Sequence, residues 1–416
     1  MKKELITFIE KTRKGDEFEL FLNMFRDINK IKFAVIKISG KVLETKAESL
    51  AQDIAFLNQF GIFPIVVHGA GSVLDRKLVF SKKINGFRIT SKSDMEIIQK
   101  TFSEISQDLK QKIIKNGGKA KIAEDILLCE PIPELGYVGD ITEIIISKLS
   151  EMIEKGNTPI ISPLGLFNGN HLNINADTVA KELVKCIQPK KLIFITETGG
   201  ILNKKKEIIP FLNVSEENFD NITGGMLLKV KEIKEYLSEG LDTAVVITSP
   251  GNLINELFTI KGSGTFIKYF KINSTGDIND LDKSKIKYLL ENAFCKTLVP
   301  EYFNSQIKEV FYEKNYEGIA VIKELSNIPY LDKLAVLKSC QGTGLGKSLW
   351  NSVLKKYPKL ILRASIANPL NSFYAKECDG FVKGSEWNVY WKGLSWHEAE
   401  TTANLAMKKS KTLLEV

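Results

Sequence analysis

Residues 341–348 read QGTGLGKS, and their three glycines could place backbone N–H groups around a phosphate at the start of a helix. A nucleoside-triphosphate loop would need a glycine at position 341, which is Gln341. A dinucleotide-binding loop would need a glycine at position 347, which is Lys347. Both patterns miss by one residue, so the neighbouring sequence has to decide which anion this loop binds.

A second set of residues that could do chemistry lies before residue 270. Lys37 and Lys229 belong to separate segments and could neutralise a phosphoryl group in transfer. Asp177 could hold both ammonium groups. Glycines that follow predicted strands would let backbone N–H groups approach a phosphate, and they are Gly40, Gly69 and Gly71.

The composition is that of a globular enzyme with two to three domains: 416 residues, 44% hydrophobic and 26% charged. The net charge is +8, but lysines alternate with glutamates instead of forming a basic stripe, which argues against nucleic-acid binding. We find no apolar run long enough to span a membrane, no secretory signal and no metal-binding cluster. The five cysteines form no C-x-x-C motif, which indicates reduced thiols and a cytoplasmic protein.

The elements that must position Lys37, Asp177 and Lys229 alternate between short β-branched runs and helical patterns from residue 31 onwards. The runs are KFAVIKI, FPIVVHG, TPIISPLG, KLIFITE and TAVVITS. Continuous apolar strands separated by helices predict an α/β domain whose largely parallel sheet is covered on both faces. We assign this domain to residues 31–272 and expect residues 1–30 to form an N-terminal helical extension.

The polar, turn-rich residues 273–284 are the expected domain boundary. Residues 285–416 then predict a smaller α+β domain. In it, the strand pattern PYLDKLAVLKS precedes the glycine loop, and the loop opens the helical pattern GKSLWNSVLKKY. The loop at 341–346 is therefore expected at a strand-to-helix turn.

Five motifs of the first domain, in order, resemble the amino acid kinase family and within it the acetylglutamate kinases. They are VIKISGKVL, VVHGAGSVLD, NGFRITS, NINADTVAKEL and ITGGMLLKV. The resemblance covers residues 31–268 and implies a three-layer αβα fold that uses ATP with Mg²⁺. Two positions depart from the family pattern: Ser39 and Ala70 stand where glycines are usual. An added Cβ there would crowd the phosphate unless the φ angle is negative.

The kinase resemblance implies the following roles. Lys37, Lys229 and Asp177 would be catalytic, and Arg88 would bind a substrate carboxylate, although by itself it reads as a surface salt bridge. Asn173 and Asn175 would bind acetylglutamate. The phosphate and nucleotide groups would be bound by Gly40, Gly69, Gly71, Thr196, Gly199 and Gly200.

The loop 341–346 fits Q/R-x-x-G-x-G/A, the coenzyme A loop of GNAT-type N-acetyltransferases. Around it, LDK at 331–333 and residues 363–380 are similar to the acetyltransferase domain of the N-acetylglutamate synthases. The match implies that acetyl-CoA or another acyl-CoA is the co-substrate. The loop residues are Gln341, Gly342, Gly344 and Gly346, Tyr374 would be the catalytic acid, and glutamate would be bound by Lys333, Arg363 and Asn368.

Together the two resemblances imply a bifunctional N-acetylglutamate synthase and kinase of arginine biosynthesis. They also imply small-molecule substrates, arginine feedback and a homo-oligomer. Three alternatives stay open: a synthase with a regulatory kinase-like domain that binds arginine, a kinase with an idle acetyltransferase domain, and a non-enzymatic ligand sensor. The sequence does not decide between an acetyl and a succinyl group.

Overall fold

The computed structural model describes residues 30–78, 82–84, 87–215, 219, 222, 225–241, 243–258, 262–341 and 343–415. The chain forms two compact units, the first ending at Tyr269 and the second beginning at Phe270. Residues 1–29 of the predicted helical extension lie outside the described residues. No helix in the described part of the chain is long and apolar enough to cross a bilayer.

The first unit contains fourteen strands in the described residues. In chain order they are β1 (Ala34–Ile38), β2 (Ile65–His68), β3 (Lys83–Ile84), β4 (Phe87–Arg88), β5 (Ala120–Ile122), β6 (Leu127–Pro131), β7 (Gly139–Ile144), β8 (Thr158–Ile161), β9 (Leu164–Phe167), β10 (Asn170–Asn173), β11 (Lys191–Ile195), β12 (Phe211–Asn213), β13 (Ala244–Thr248) and β14 (Thr265–Lys268). The five predicted strands are confirmed as β1, β2, β8, β11 and β13.

Eight of these strands form one sheet in the order β12-β14-β13-β11-β1-β2-β8-β5. All neighbouring pairs are parallel except β13 with β14. β8, β11 and β13 are buried along their whole length, as expected for a sheet covered on both faces. A four-stranded sheet, β10-β9-β6-β7, and the short pair β3–β4 were not predicted from the sequence.

Helices cover both faces of the large sheet. They are α1 (Gly40–Gln59), α2 (Gly71–Lys77), α3 (Lys92–Lys115), α4 (Ile146–Glu154), α5 (Ala176–Ile187), α6 (Gly225–Leu237) and α7 (Leu253–Phe258). One core cluster joins α4, α5 and α6 to the sheet, and a second joins α1, α3 and α7 to it. The predicted three-layer αβα fold is confirmed.

Within the residues described, the second unit has nine strands and four helices. The strands are β15 (Ile272–Thr275), β16 (Thr297–Leu298), β17 (Glu309–Glu313), β18 (Gly318–Leu325), β19 (Ile328–Val336), β20 (Leu360–Ser365), β21 (Gly380–Lys383), β22 (Trp387–Lys392) and β23 (Leu413–Leu414). The helices are α8 (Lys283–Phe294), α9 (Leu345–Lys356), α10 (Asn371–Glu377) and α11 (Trp396–Lys408).

Seven of these strands form a sheet in the order β15-β17-β18-β19-β20-β22-β21, and β16 pairs separately with β23. β19 and β20 are parallel, and their register pairs are Tyr330 with Ile361 and Leu331 with Leu362. The pairing of β19 with β20 ends at Leu331 and Leu362, although β19 continues to Val336 and β20 to Ser365. The glycine loop follows β19 and α9 follows the loop, so the predicted strand-to-helix turn is present.

The division between the units falls earlier in the chain than the sequence suggests. β15 pairs antiparallel with β17, so residues 272–275 belong to the second sheet and not to the first domain or a linker. The stretch INST gives little strand signal because it is short and forms an edge with only partly buried residues. Helix α8 begins after Asp282, whose side chain accepts from the backbone N–H of Ser284 and Lys285.

Candidate active sites

The first site is centred on one carboxylate between two ammonium groups. Nζ of Lys37 lies 2.7 Å from Oδ1 of Asp177, and Nζ of Lys229 lies 3.3 Å from Oδ2. Lys37 belongs to β1, Asp177 to the first turn of α5, and Lys229 to α6. The structure therefore brings together three residues that are separated by almost two hundred positions in the sequence.

Charge dominates this centre. Burial by itself would raise the pKa of Asp177, but Lys37 and Lys229 outweigh burial and lower that pKa to about 2. Burial lowers the pKa of Lys229, while Asp177 opposes that change. The Lys229 ammonium also lies 4.3 Å from the ring centroid of Phe194. Two cations and one carboxylate leave an excess of positive charge, which suits the oxygens of a phosphate.

The two predicted asparagines shortly precede Asp177 in the chain. Asn175 precedes α5, and its side-chain oxygen accepts from the backbone N–H of Asp177 at 2.9 Å. Asn173 ends β10, and its side chain donates to the hydroxyl of Thr90 at 3.3 Å. Asn175 therefore fixes the start of the helix that carries Asp177, a contact that the sequence motif alone did not reveal.

The glycine turns after β1 and β2 lie against each other. A Cβ on Gly40 would be 2.8 Å from Cα of Ala70, which leaves no room for a side chain. The N–H of Gly69 donates to the carbonyl of Ile38 at 2.9 Å, so in this structure it links the strands and does not point to a ligand. Gly71 begins α2.

The two departures from the family pattern are accommodated without backbone strain. Ser39 has a φ of −71°, and its hydroxyl accepts from the N–H of Val42 at the start of α1. Ala70 has a φ of −132° and its side chain is buried beside Leu74 and Ile98. Negative φ angles accept a Cβ, so neither residue distorts its turn.

The guanidinium of Arg88 is already paired with a carboxylate of the protein. It is buried, and its Nη2 pairs with the carboxylate of Asp75 on α2. The sequence offered no signal for this partner because Asp75 and Arg88 lie on different elements. A substrate carboxylate would have to share or replace this contact.

The predicted nucleotide residues follow β11. The N–H of Thr196 donates to the carbonyl of Thr248 at 2.9 Å, which holds the ends of β11 and β13 together. Gly199 has a φ of +71°, a conformation that favours glycine. A Cβ on Gly200 would be 2.8 Å from Cγ2 of Ile208. A Cβ on Gly199 would be 3.2 Å from Cβ of Ser249, so the predicted turn lies next to the residue that follows β13.

A buried hydrogen-bond network that includes His68, at the end of β2, was not predicted from the sequence. The imidazole Nε2 of His68 lies 2.7 Å from the hydroxyl of Ser106, which lies 2.8 Å from the hydroxyl of Ser162. Burial lowers the pKa of His68 to about 4, so the ring is neutral near pH 7. The network joins β2, α3 and the end of β8. Serines in unrelated segments carry no motif that could have revealed it.

In the second unit, the glycine loop leads directly into α9. Gly344 precedes the helix with a φ of +86°, and Gly346 lies in its first turn. The side chain of the exposed Gln341 donates to the carbonyl of Val336 at 3.3 Å. Gly342 lies outside the described residues. The partial positive charge at the start of this twelve-residue helix suits a diphosphate.

Tyr374 is buried on α10, with its ring 5.8 Å from that of Trp350 and 5.5 Å from that of Tyr390, measured between centroids. Burial and the neighbouring Cys378 thiol raise the pKa of its phenol. The phenol therefore stays protonated near neutral pH, as a proton donor must. Asn368 precedes α10, and its side chain accepts from the N–H of Leu370 at 2.8 Å.

Lys333 and Arg363, the predicted glutamate ligands, are held by different partners. Nζ of Lys333 donates to Oδ2 of Asp332 at 2.9 Å and to the hydroxyl of Thr412 at 2.8 Å. Arg363 donates to backbone carbonyls at the end of α11 and just beyond it. Its guanidinium is thus engaged by its own chain, which the motif could not show because the acceptors are backbone atoms.

Three comparisons bear on these sites. Residues 32–249 match the model of the amino acid kinase family, and residues 271–411 match that of the N-acetyltransferase domain of N-acetylglutamate synthase. An acetylglutamate kinase of Xylella fastidiosa is 36% identical, with 91% of this chain and 94% of the relative covered. The human mitochondrial N-acetylglutamate synthase is 26% identical, with 87% and 69% covered.

Among solved structures, the N-acetylglutamate synthase of Neisseria gonorrhoeae, complexed with coenzyme A and N-acetylglutamate, matches with a TM-score of 0.62. It is 20% identical, and the match covers 91% of this chain and 97% of the other. This likeness shows that the two chains share a fold.

Proposed function

Because this chain belongs to the amino acid kinase family, we propose that its first unit phosphorylates a carboxylate with ATP and that its second unit makes the acceptor. The acceptor is N-acetylglutamate, formed from glutamate and acetyl-CoA. The relatives named acetylglutamate kinase and N-acetylglutamate synthase support this reading, since each is similar to most of the chain. The chain would thus catalyse two consecutive steps of arginine biosynthesis.

The Lys37–Asp177–Lys229 centre is the main observation that supports the proposed kinase activity. An oxygen of the γ-carboxylate attacks the γ-phosphorus of ATP, and the bond from that phosphorus to the β-γ bridging oxygen breaks, which releases ADP. Lys37 and Lys229 neutralise the charge on the moving phosphoryl group, and Asp177 holds both lysines in place. The N-terminal turns at Gly40 and Gly71 would place N–H groups near the phosphates.

Mg²⁺ would be bound chiefly through ATP. The donor set of the centre, two ammonium groups around one carboxylate, fits phosphate oxygens. When bound with ATP, Mg²⁺ would neutralise part of the phosphate charge. Thr196, Gly199 and Gly200 would form the wall on which the nucleotide lies, with Arg88, Asn173 and Asn175 on the acetylglutamate side.

The proposed acetyltransferase activity is supported by the glycine loop that precedes α9. Gln341, Gly344 and Gly346 would bind the diphosphate of coenzyme A. The neutral amine of glutamate attacks the thioester carbonyl, the carbon–sulfur bond breaks, and the departing thiolate takes the proton of the Tyr374 phenol. The acylated nitrogen loses its proton to solvent, and solvent returns a proton to the Tyr374 phenolate. Lys333, Arg363 and Asn368 would bind glutamate.

Two assays on the intact chain test this proposal. We expect ADP release that depends on N-acetylglutamate, and thiol release from acetyl-CoA that depends on glutamate. Lys37→Met should lower ADP release by about 100-fold or more and leave thiol release unchanged. Lys155→Met, in an exposed pair with Glu151, should change neither rate.

The other outcomes separate the alternatives. Thiol release without ADP release would support a synthase with a regulatory kinase-like unit. ADP release without thiol release would support an idle acetyltransferase unit. Saturable binding without either reaction would support a ligand sensor.

Several finer features belong to the same proposal. We infer a cytoplasmic homo-oligomer inhibited by arginine, with acetyl-CoA preferred over succinyl-CoA. Light scattering would test the assembly, since a monomer would contradict it. Rates with each acyl-CoA, and with arginine added, would test the other two inferences.

A further inference from the structure

Tyr374, the proposed general acid, lies in the middle of a very short helix. Helix α10 has seven residues, and a helix of this length is not stable by itself in water. The residue before it is Leu370, whose apolar side chain cannot cap the first N–H groups. The position of the Tyr374 phenol therefore depends on the contacts that hold the two ends of α10 to other elements.

The first end of α10 is fixed to the sheet by Asn371. Its side-chain nitrogen donates to the carbonyls of Ser365 and Ile366, each at 3.0 Å. Its side-chain oxygen accepts from the hydroxyl of Tyr390 at 3.1 Å. Since Ser365 ends β20 and Tyr390 lies in β22, the start of α10 is tied to two neighbouring strands.

The other end of α10 is fixed by Glu377, its last residue. One carboxylate oxygen accepts from Nζ of Lys347, in the first turn of α9. The other accepts from the indole Nε1 of Trp350 at 3.3 Å. Lys392 of β22 donates to the backbone carbonyl of Glu377. A single carboxylate thus joins the end of α10 to the start of α9, the helix that follows the glycine loop.

The charges of Lys347 and Glu377 are placed against the dipoles of their own helices. Lys347 lies where α9 carries partial positive charge, and Glu377 lies where α10 carries partial negative charge. Each position costs its own helix about 0.3–1 kcal/mol. The pair therefore does not stabilise either helix separately, and its favourable contribution comes from holding α9 and α10 together.

The ring of Tyr374 packs inside this junction. The buried Trp350, which donates to Glu377, has its ring centroid 5.8 Å from that of Tyr374 and 5.6 Å from that of Phe373. The Lys347 ammonium lies 5.3 Å from the centroid of Phe373. Tyr374 and Glu377 are three residues apart and share a face of α10. A loosened Glu377 contact would therefore shift the helix face that carries the phenol.

From this geometry we propose that Glu377 is a positioning residue for acyl transfer. Its carboxylate holds α10 against α9, so that the Tyr374 phenol keeps a fixed place relative to the glycine loop. The charge of Glu377 acts through Lys347 and Trp350 and takes no part in proton transfer. This proposal rests on the acetyltransferase activity proposed above and adds to it a residue that orients the general acid.

The test compares Glu377→Gln with Glu324→Gln in the full chain. Glutamine keeps the length of the side chain and an acceptor for Trp350, but it loses the charge that attracts Lys347. Because a displacement of about 1 Å can cost about 100-fold in rate, Glu377→Gln should lower kcat for thiol release by about tenfold or more. The KM for acetyl-CoA should not change. An unchanged kcat would overturn the proposal.

Glu324 is the matched control because it is an exposed partner of Lys308 in the same unit. Glu324→Gln should change neither kcat nor KM. A loss of kcat in Glu324→Gln equal to that in Glu377→Gln would show that any lost carboxylate slows the reaction, and it would also overturn the proposal.

A double-mutant cycle tests whether Lys347 and Glu377 act as one unit. Lys347→Met should lower kcat by a factor similar to that of Glu377→Gln. The double variant should be no slower than the slower single variant, since both changes break the same contact. Losses of kcat that multiply in the double variant would show that the two residues act separately, contrary to the proposal.

Hydrogen exchange keeps this proposal distinct from the proposed function. Glu377→Gln should speed amide exchange across residues 371–377 without any ligand, while exchange across β18 stays unchanged and shows that the unit is folded. If the wild-type chain released no thiol, the acetyltransferase assignment would fail, but the exchange rates would still report whether Glu377 holds α10. Unchanged exchange across 371–377 would overturn the positioning role.

Discussion

Gly40 and Ala70 approach so closely that a Cβ on Gly40 would lie 2.8 Å from Cα of Ala70. The first residue of α1 and the turn after β2 are thus in backbone contact, and the two glycine turns form a single surface beside Lys37. This contact explains why a glycine is needed at position 40, whereas alanine is tolerated at position 70.

Gly40→Ala should therefore disrupt the phosphate-binding turns. The added methyl group meets backbone atoms that cannot rotate away, and overpacking of this kind costs about 1–3 kcal/mol. We expect a lower melting temperature and a loss of ADP release, measured by calorimetry and by the kinase assay. Gly71→Ala is the stability control, because nothing lies within 4 Å of its added Cβ. Equal melting temperatures for Gly40→Ala and the wild type would contradict the close contact.

The Asp177 carboxylate should make the stability of the first unit depend on acid pH. Its pKa is lowered from the usual 3.8 to about 2, so its ionised form stabilises the folded state above pH 4, and this contribution is lost as the pH falls towards 2. Asp177→Asn should lower the free energy of unfolding at pH 7 and flatten its fall between pH 4 and 2. Denaturant titrations at several pH values measure both effects.

Asp108→Asn is the matched control for this titration, since Asp108 is an exposed partner of Lys112 in the same unit. It should leave the pH profile nearly unchanged. A profile of Asp177→Asn that runs parallel to that of the wild type would show that the two lysines do not stabilise the charged carboxylate.

Tyr374→Phe should slow acyl transfer without weakening coenzyme A binding. Burial and Cys378 raise the pKa of the phenol, so it remains a proton donor across the neutral range. Removing a general acid lowers kcat by about 100-fold or more. Thiol release measures this loss, and the kinase rate of the same sample serves as an internal reference. Tyr288→Phe, at an exposed position on α8, should behave as wild type, and an active Tyr374→Phe would assign the proton to another group.

Gly344→Ala should weaken coenzyme A binding. The φ of Gly344 is +86°, and a side chain in that conformation costs about 1 kcal/mol, which corresponds to about a fivefold change in affinity if the loop shifts. Calorimetric titration with coenzyme A would measure the dissociation constant. Gly276→Ala adds a Cβ at ordinary contact distance, 3.6 Å from the carbonyl of Lys308, and should not alter binding. Equal affinities for Gly344→Ala and the wild type would argue against the loop as the diphosphate site.

The sequence predicted the parts of the fold that periodicity encodes. The apolar strands β1, β2, β8, β11 and β13 form the centre of the large sheet. Lys37 lies in β1, but Asp177 lies on α5 after β10 and Lys229 lies on α6, so of the three only the position of Lys37 follows from the predicted strands. The small sheet containing β6 and β10 was missed because its strands are short and only partly buried.

Predictions about side-chain partners were less complete. Arg88 and Arg363 were expected to bind carboxylates of substrates, but in the structure Arg88 pairs with Asp75, and Arg363 with backbone carbonyls. Such contacts join different elements of the fold. Every residue has a backbone carbonyl, so the sequence does not indicate which carbonyl accepts a hydrogen bond. The hydrogen bonds of His68 could not be predicted from its motif, because its partners Ser106 and Ser162 lie in other elements.

The position of β15 decides how the two units could be produced as separate proteins. A fragment that begins at residue 285 would lack β15, leaving the edge of β17 open to pair with other molecules and to aggregate. A fragment that begins at Phe270 keeps that edge covered. Cutting the gene between Tyr269 and Phe270 would therefore leave the sheet of each unit complete.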